Sequence, residues 1–331
     1  MTIYDIAQEA GVSASTVSRV INKKKGVNPK KRILVESLLK KYNFEPDASA
    51  RGLVQQSTKI IGILMSDIRT SHHASGTYFI EQELKKHGYN CIIINSGFSD
   101  EARKESIRTL ASRRVEAVVL IGSTFQTENI KKAIEEYLSD LPVIIENGYI
   151  DLPNVYGVLV DEGNGISDCV HYLYKKGRRN MVFLHYGDTP SNDKKIRGFQ
   201  SALHELLPQQ EPVVIRLGTE EEEWQASHDA TQRLMREMPD TDSIIYATDL
   251  LANAGCMALK ELGIAVPEQT AIVGVDNSIY AKIAWPAITS LDNKLEDLSI
   301  TCSNILVRVL NGDKVAHKMM IFSNIVERTS A

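Results

Sequence analysis

Residues 2–22 read TIYDIAQEAGVSASTVSRVIN, and the starts and stops in that stretch have local causes. Thr2 with Asp5 three places on resembles a capping box, so a helix opens at Ile3. Ile3, Ile6, Ala7 and Ala10 recur at helical spacing, and Gly11 supplies the left-handed residue that ends the helix. Val12 turns inward, and Ser13 caps a second helix from Ala14 to about Ile21 whose buried stripe is Val17, Val20 and Ile21. Ser15, Thr16, Ser18 and Arg19 face outward. Asn28-Pro29 is a cap followed by proline at the first helical position, opening a third helix with Val35, Leu38, Leu39 and Tyr42 on its apolar face. Three short helices, the first two joined through Ala10-Gly11-Val12-Ser13, describe a helix-turn-helix. Small polar groups with one arginine suit a major groove, where bulk would keep the helix from base edges.

Charge points the same way. Residues 1–58 carry ten Lys/Arg against five acids, a formal +5, whereas the remaining chain is −9. A basic head on an acidic body implies a polyanion partner for the head alone. The rest of the 331 residues, 43% hydrophobic and 24% charged, fits a soluble globular protein of two or three domains. No apolar run approaches a membrane span, and the first twenty residues do not read as a signal peptide, so a cytoplasmic location is expected. Cys91, Cys169, Cys256 and Cys302 lie far apart without metal-ligand spacing and read as reduced core or helix residues.

From Lys59 onward, short β-rich runs alternate with amphipathic helical stretches. The strand candidates are Ile60–Met65, Cys91–Asn95, Ala117–Ile121, Val143–Glu146, Gly157–Val160, Met181–His185, Val213–Arg216, Ile244–Ala247 and Ala271–Val275. The helical stretches lie near 75–87, 101–114, 127–139, 163–176, 194–207, 221–238, 250–262 and 294–311. Continuous apolar strands between such helices mean parallel sheets covered on both faces, and nine strands fit two doubly wound sheets better than one. Asp67, Asn95, Ser123, Asn147, Asp161, Asp249 and Asp276 gather past strand ends, where open α/β sheets bind ligands and where turn chemistry also places polar residues.

The run from Ala10 through Asn22, followed by Pro46 and Ala50-Arg51-Gly52-Leu53, resembles the lactose/galactose repressor family of bacterial transcription regulators. The likeness continues essentially without gaps through Leu53 and more diffusely to the closing IVERTSA. It implies a helix-turn-helix head (1–45), a hinge (46–58) and an effector-binding and dimerisation body (59–331). The body is a periplasmic-binding-protein-like pair of subdomains, about 59–160 plus 291–322 and 161–290 plus 323–331. Three crossovers, near Asp161, Ser290–Asn293 and Ser323, join them. The hinge is too short and glycine-broken to hold a helix alone, and folds when held on DNA.

By the same resemblance the DNA contacts fall on Thr2, Tyr4, Ser13, Ala14, Ser15, Thr16, Ser18, Arg19, Asn22 and Arg51, with Leu53 wedging a central base step. The effector contacts fall on Arg69, His72, His73, Ser123, Asn147, Asp161, Lys195, Thr248, Asp276 and Asn293. Three departures stand out: His72-His73 where the family usually has two aromatics, Lys195 for arginine before Gly198-Phe199, and Thr248 for asparagine before Asp249. Arg69, His72, His73 and Lys195 together favour an anionic effector such as a sugar acid or sugar phosphate, against an ordinary neutral sugar. The implied partners are near-palindromic operator DNA, a sugar-like effector and a second copy of the chain. Repressor is the default role, and no heptad tail extends the dimer to a dimer of dimers.

Two other classes compete. An enzyme would need a constellation that is missing: there is no GxGxxG, GxSxG or P-loop, and no HxxxH or HExxH spacing, so no cofactor, metal or catalytic residue is expected. The acidic run 220–223 before Trp224 reads as the charged opening of a helix, or as part of a pocket lip. A transporter's solute-binding protein would share the body but need a signal peptide and no basic head.

Overall fold

The computed structural model describes residues 2–21, 23–44, 57–218 and 222–331. Contacts divide the chain into two units, 1–58 and 59–331. In the first, helices α1 (Ile3–Glu9), α2 (Ala14–Ile21) and α3 (Pro29–Lys41) enclose a core of Ile6, Val17, Val20 and Val35. Thr2 Oγ1 accepts from the Asp5 amide at 3.3 Å while Asp5 Oδ2 accepts from the Thr2 amide at 2.6 Å. Gly11 takes φ +60°, Ser13 Oγ accepts from the Thr16 amide at 3.3 Å, and Asn28 Oδ1 from the Lys30 amide at 3.0 Å. Each helix thus begins on a side-chain oxygen that meets one of its free N–H groups.

The second unit holds strands β1 (Ile60–Met65), β2 (Asn90–Asn95), β3 (Ala117–Ile121), β4 (Val143–Glu146), β5 (Val155–Val160), β6 (Met181–Tyr186), β7 (Val213–Leu217), β8 (Ser243–Tyr246), β9 (Ala271–Val275), β10 (Thr289–Asp292), β11 (Lys318–Ile321) and β12 (Asn324–Val326). Helices α4 (Ser71–Lys86), α5 (Asp100–Ser112), α6 (Glu128–Tyr137), α7 (Glu162–Lys175), α8 (Pro190–Leu206), α9 (Glu223–Glu237), α10 (Asp249–Glu261), α11 (Ile279–Ile283) and α12 (Leu295–Leu310) connect them. The strands form two six-stranded sheets, ordered β11-β5-β4-β3-β1-β2 and β12-β10-β9-β8-β6-β7. All pairings are parallel except β10 with β12. Buried Val, Ile and Leu of β1, β3, β4 and β5 join two cores, one on each face of the first sheet. A third core surrounds the second sheet.

Three strands escape the periodicity reading. β10, β11 and β12 are only three or four residues long and carry polar or exposed side chains, so no continuous apolar run announces them. They are the crossover strands. The chain passes between the lobes at Asp161, at Asn293-Lys294 and at Phe322-Ser323. Because β10 runs through Asp292 in the second sheet, the middle crossing lies two residues beyond the expected division at 290. α4 and α8 also start about four residues early, at caps Thr70 and Thr189. Thr189-Pro190 is a readable start signal.

In each sheet the winding reverses beside its first strand: β1 lies between β2 and β3, and β6 between β7 and β8. The loops leaving β1 and β3, and β6 and β8, diverge at those points and open a crevice at the strands' C-terminal ends.

Candidate functional site

A cavity of about 260 Å³ lies between the lobes at these switch points, close to the lower end of the roughly 300–1,000 Å³ usual for small-molecule sites. Arg69, His72, His73, Ser123 and Asn147 line it from the first lobe, Lys195, Thr248 and Asp276 from the second, and Asn293 from a crossover. Asp161 does not. Its carboxylate turns back to accept from the Asn164 amide at 3.4 Å and Asn164 Nδ2 at 2.6 Å, capping α7, and it borders a different cavity. The next residue, Glu162, lines the cleft instead. Successive helical residues point about 100° apart, so a one-residue offset at a helix entry decides which group meets a ligand.

Glu162, Glu223 and Asp249 all line the cleft, and each is the first residue of its helix. The sequence reading places Asp249 among the polar strand ends and takes the run at 220–223 as a charged helix opening or a pocket lip, but assigns Glu162 no role; the missed signal is that all three helices open at one crevice. Asp249 accepts from the Ser278 amide and Ser290 Oγ, both at 2.6 Å. Burial, then the nearby Asp276 charge, pushes its carboxyl up to about 7. Burial likewise raises Glu223, whose Oε1 accepts from Thr248 Oγ1 at 3.3 Å. Asp276, at φ +99°, accepts from Asn293 Nδ2 at 3.1 Å. Glu162 is 1% exposed; its Oε1 accepts from Ser191 Oγ at 2.5 Å, while its Oε2 has no partner among the described residues.

The basic groups are largely spoken for. Arg69 is exposed and forked onto Asp67, with Nε 3.0 Å and Nη2 2.7 Å from its oxygens. Lys195, 5% exposed, donates to the Ala247 carbonyl at 3.1 Å and lies 3.6 Å from Glu162 Oε1. His73 Nδ1 lies 2.8 Å from the Asp67 carbonyl oxygen, which can only accept, so Nδ1 carries the proton and Nε2 is left as an acceptor. Burial, reinforced by neighbouring His72, pushes the His73 imidazole down to about 4. The ring is therefore neutral throughout the physiological range, and the expected histidine contribution to binding an anion is lost at this position. Ser123 Oγ accepts from the Ser191 amide at 3.2 Å, a direct hydrogen bond between the lobes.

The His73 shift sets a pH dependence of stability. Its folded value lies below the unfolded one near 6.5, so the unfolded chain takes up the proton first as pH falls. The stability it contributes is full above about 6.5 and is lost toward pH 4. Asp249, raised in the fold, acts in the opposite sense as pH rises toward 7, equally in wild type and a His73 variant. The stability advantage of wild type over His73→Asn is expected to shrink as urea midpoints are taken from pH 7.5 to 5. A constant difference would mean that His73 does not titrate this way.

In the head, Thr2, Tyr4, Ser13, Ser15 and Arg19 are exposed, and Ala14, Thr16 and Ser18 partly so. Ser13 Oγ lies 2.8 Å from Ser15 Oγ and 3.0 Å from Thr16 Oγ1, so hydroxyls cluster at the start of α2 while Val17 and Val20 are buried. Asn22, Arg51 and Leu53 lie outside the described residues. Among those described, no helix is long and apolar enough to cross a membrane, and no group of three His, Cys, Asp or Glu is placed to hold a metal ion.

A helix-turn-helix unit followed by two doubly wound lobes around a polar crevice defines a ligand-binding transcription regulator. Residues 2–47 match the lacI family of bacterial regulatory proteins, and residues 58–328 match the periplasmic binding proteins and sugar binding domain of the LacI family. An HTH-type transcriptional regulator of Lachnoclostridium phytofermentans is 33% identical over 99% of this chain and 98% of its own. Catabolite control protein A of Staphylococcus epidermidis is 25% identical over the same shares. The fold is that of the lac repressor dimer bound to operator and an anti-inducer, with TM-score 0.89 and 22% identity over 100% of this chain and 98% of that one. The chain belongs to the LacI family of bacterial transcription regulators.

Proposed function

We propose that the chain works as a homodimeric, non-catalytic repressor whose operator affinity is set by a hydroxyl-rich effector, uncharged or amine-bearing, held in the cleft. The observation that carries the effector class is that, among the described residues, the cleft holds two buried acceptors without donors, Glu162 Oε2 and Asn293 Oδ1, and the unpartnered hydroxyl of Ser278, joined by the unprotonated His73 Nε2. A buried acceptor left unmade costs about 1–3 kcal/mol, so the cleft favours a ligand that brings O–H or N–H groups. Among the described lining residues, the acids Glu162, Glu223, Asp249 and Asp276 outnumber the buried cation Lys195, which is already engaged. An anionic effector would meet that set at a cost. Contact with both lobes lets such a ligand select one lobe arrangement, and a differential affinity of about 1–3 kcal/mol is enough for a switch.

Dimerisation is supported by the likeness to the lac repressor dimer bound to operator, and the body leaves apolar side chains such as Tyr78, Ile283 and Trp285 exposed that a second copy could cover. A second copy would bring two heads to the two halves of a near-palindrome. Of the predicted contacts in the cleft, Asp276 and Asn147 stand ready for hydroxyls, and the cytoplasm is where such a regulator meets both DNA and metabolites.

A thermal-shift screen of neutral sugars, amino sugars, sugar acids, sugar phosphates and purines tests the effector class, because bound ligand raises stability by mass action. Neutral or amine-bearing polyols are expected to stabilise wild type, and Asp276→Ala to weaken them roughly tenfold or more. Tight binding of a sugar acid that Asp276→Ala abolishes would overturn the effector class.

A further inference from the structure

A second cavity, of about 410 Å³, lies at the junction of the lobes along the β5–β11 edge of the first sheet. Three elements each turn one face into it. Lys194, Arg197 and Ser201 come from α8 at spacings that share a helix face, and Lys318 and Met320 alternate onto one side of β11. From α7 come Asn164 and Ser167, with Gly163 between them and the α8 residues. Gly163 and Gly198 are in backbone contact, so no side chain fills the floor where the two helices meet.

The electrostatics are the reverse of the cleft. Three cations face one carboxylate, Asp161, and that carboxylate is already held by Asn164. Lys194 Nζ is buried from solvent and has no hydrogen-bond partner among the described residues. An ammonium withdrawn from water without an acceptor is costly, and chains retain it where something else supplies the acceptor. Arg197 is exposed at the mouth, and Lys318, which lies 5.6 Å from the Tyr149 ring centroid, approaches from the other lobe. The groove thus presents a deep point charge with two outer cations, which fits a small molecule bearing two or more anionic groups.

We propose that this groove is a second ligand site, for a small polyanion such as a phosphate ester or polycarboxylate, acting on the lobe junction independently of the cleft. α7 and α8 belong to the second lobe and β5 and β11 to the first, so an occupant bridging Lys194 and Lys318 stabilises the arrangement in which they converge. The regulator would then answer two chemically different signals, a donor-rich ligand in front and an anion behind.

Calorimetric titration of the full chain with pyrophosphate, at ionic strength held constant with KCl, tests this, and a parallel titration with citrate separates phosphate from carboxylate recognition. Saturable binding of one anion per chain is expected. It should weaken at least tenfold in Lys194→Gln/Arg197→Gln and measurably in Lys318→Gln, and persist in Asp276→Ala. Circular dichroism melts that match wild type keep the glutamine variants interpretable, and Lys318→Gln, on a different element, serves where the double variant is unstable. Unchanged binding in the double variant would place the anion elsewhere, on the basic head or in the cleft, and overturn the site. So would the absence of saturable binding with either anion.

Discussion

Replacing Arg19 by alanine is expected to lower affinity for the specific operator by roughly 1–3 kcal/mol per half-site, about 5- to 150-fold, with much less effect on random duplex. Arg19 is exposed on α2 while Val17 and Val20, on the opposite stripe, are fully buried or nearly so. The helix therefore has one fixed orientation in the head, and the guanidinium is directed outward with the hydroxyls of Ser15 and Thr16. A bidentate arginine–guanine pair is the strongest single base contact such a surface can make. In a dimer the loss is felt in both half-sites. Ser15→Ala and Thr16→Ala should cost less, since a hydroxyl contributes one hydrogen bond where the guanidinium contributes two. Competition binding with specific and random duplexes at one salt concentration checks this. Equal losses on both duplexes would mean that Arg19 only touches phosphate.

Gly198→Ala is expected to destabilise the body by roughly 2–3 kcal/mol, lowering its melting temperature by about 5–10 °C. Two effects oppose each other. Alanine gains about 1 kcal/mol over glycine in a helix interior. Against that, a Cβ at 198 would overlap the carbonyl oxygen of Gly163, which is backbone and cannot rotate away, so α7 and α8 must separate. The clash wins. The crossing also positions Glu162, Ser191 and Lys195, so cleft binding should fall with stability. Gly218→Ala is the control, because among the described residues its Cβ meets nothing within 4 Å and its φ is ordinary; it should be nearly neutral. Equal melting temperatures for the two variants would show that the helix crossing tolerates a methyl group.

The head was legible almost to the residue because its signals are local: caps at Thr2, Ser13 and Asn28, the stop at Gly11, and an apolar stripe at helical spacing. The central strands of both sheets were legible for a similar reason, since strands buried on both faces are continuous apolar runs. The crossover strands were not. Thr289-Ser290-Leu291-Asp292 is polar because its side chains hold neighbouring groups, with Ser290 donating to Asp249, Thr289 accepting from the Arg328 amide and Asp292 from Lys294. In the cleft, strand ends showed where polar groups gather but not which of them face inward. Asp161 and Glu162 are adjacent acids with opposite outlooks, and only the helix entry tells them apart. The ionisation of His73 was also beyond sequence, because it follows from burial and from the carbonyl that fixes its tautomer.

The central claim is that a donor-rich ligand in the cleft changes the affinity of the head for DNA. The direct measurement begins with duplexes selected from a random pool by the full chain, which should yield a two-fold symmetric site. Fluorescence anisotropy then gives the affinity for that site with and without the polyol that most stabilises the protein. Wild type is expected to shift by about 5-fold or more in either direction, and Asp276→Ala to bind the operator normally but show no shift at the same ligand concentration. A ligand that saturates the cleft of wild type, raises its melting temperature and leaves operator affinity unchanged would contradict it.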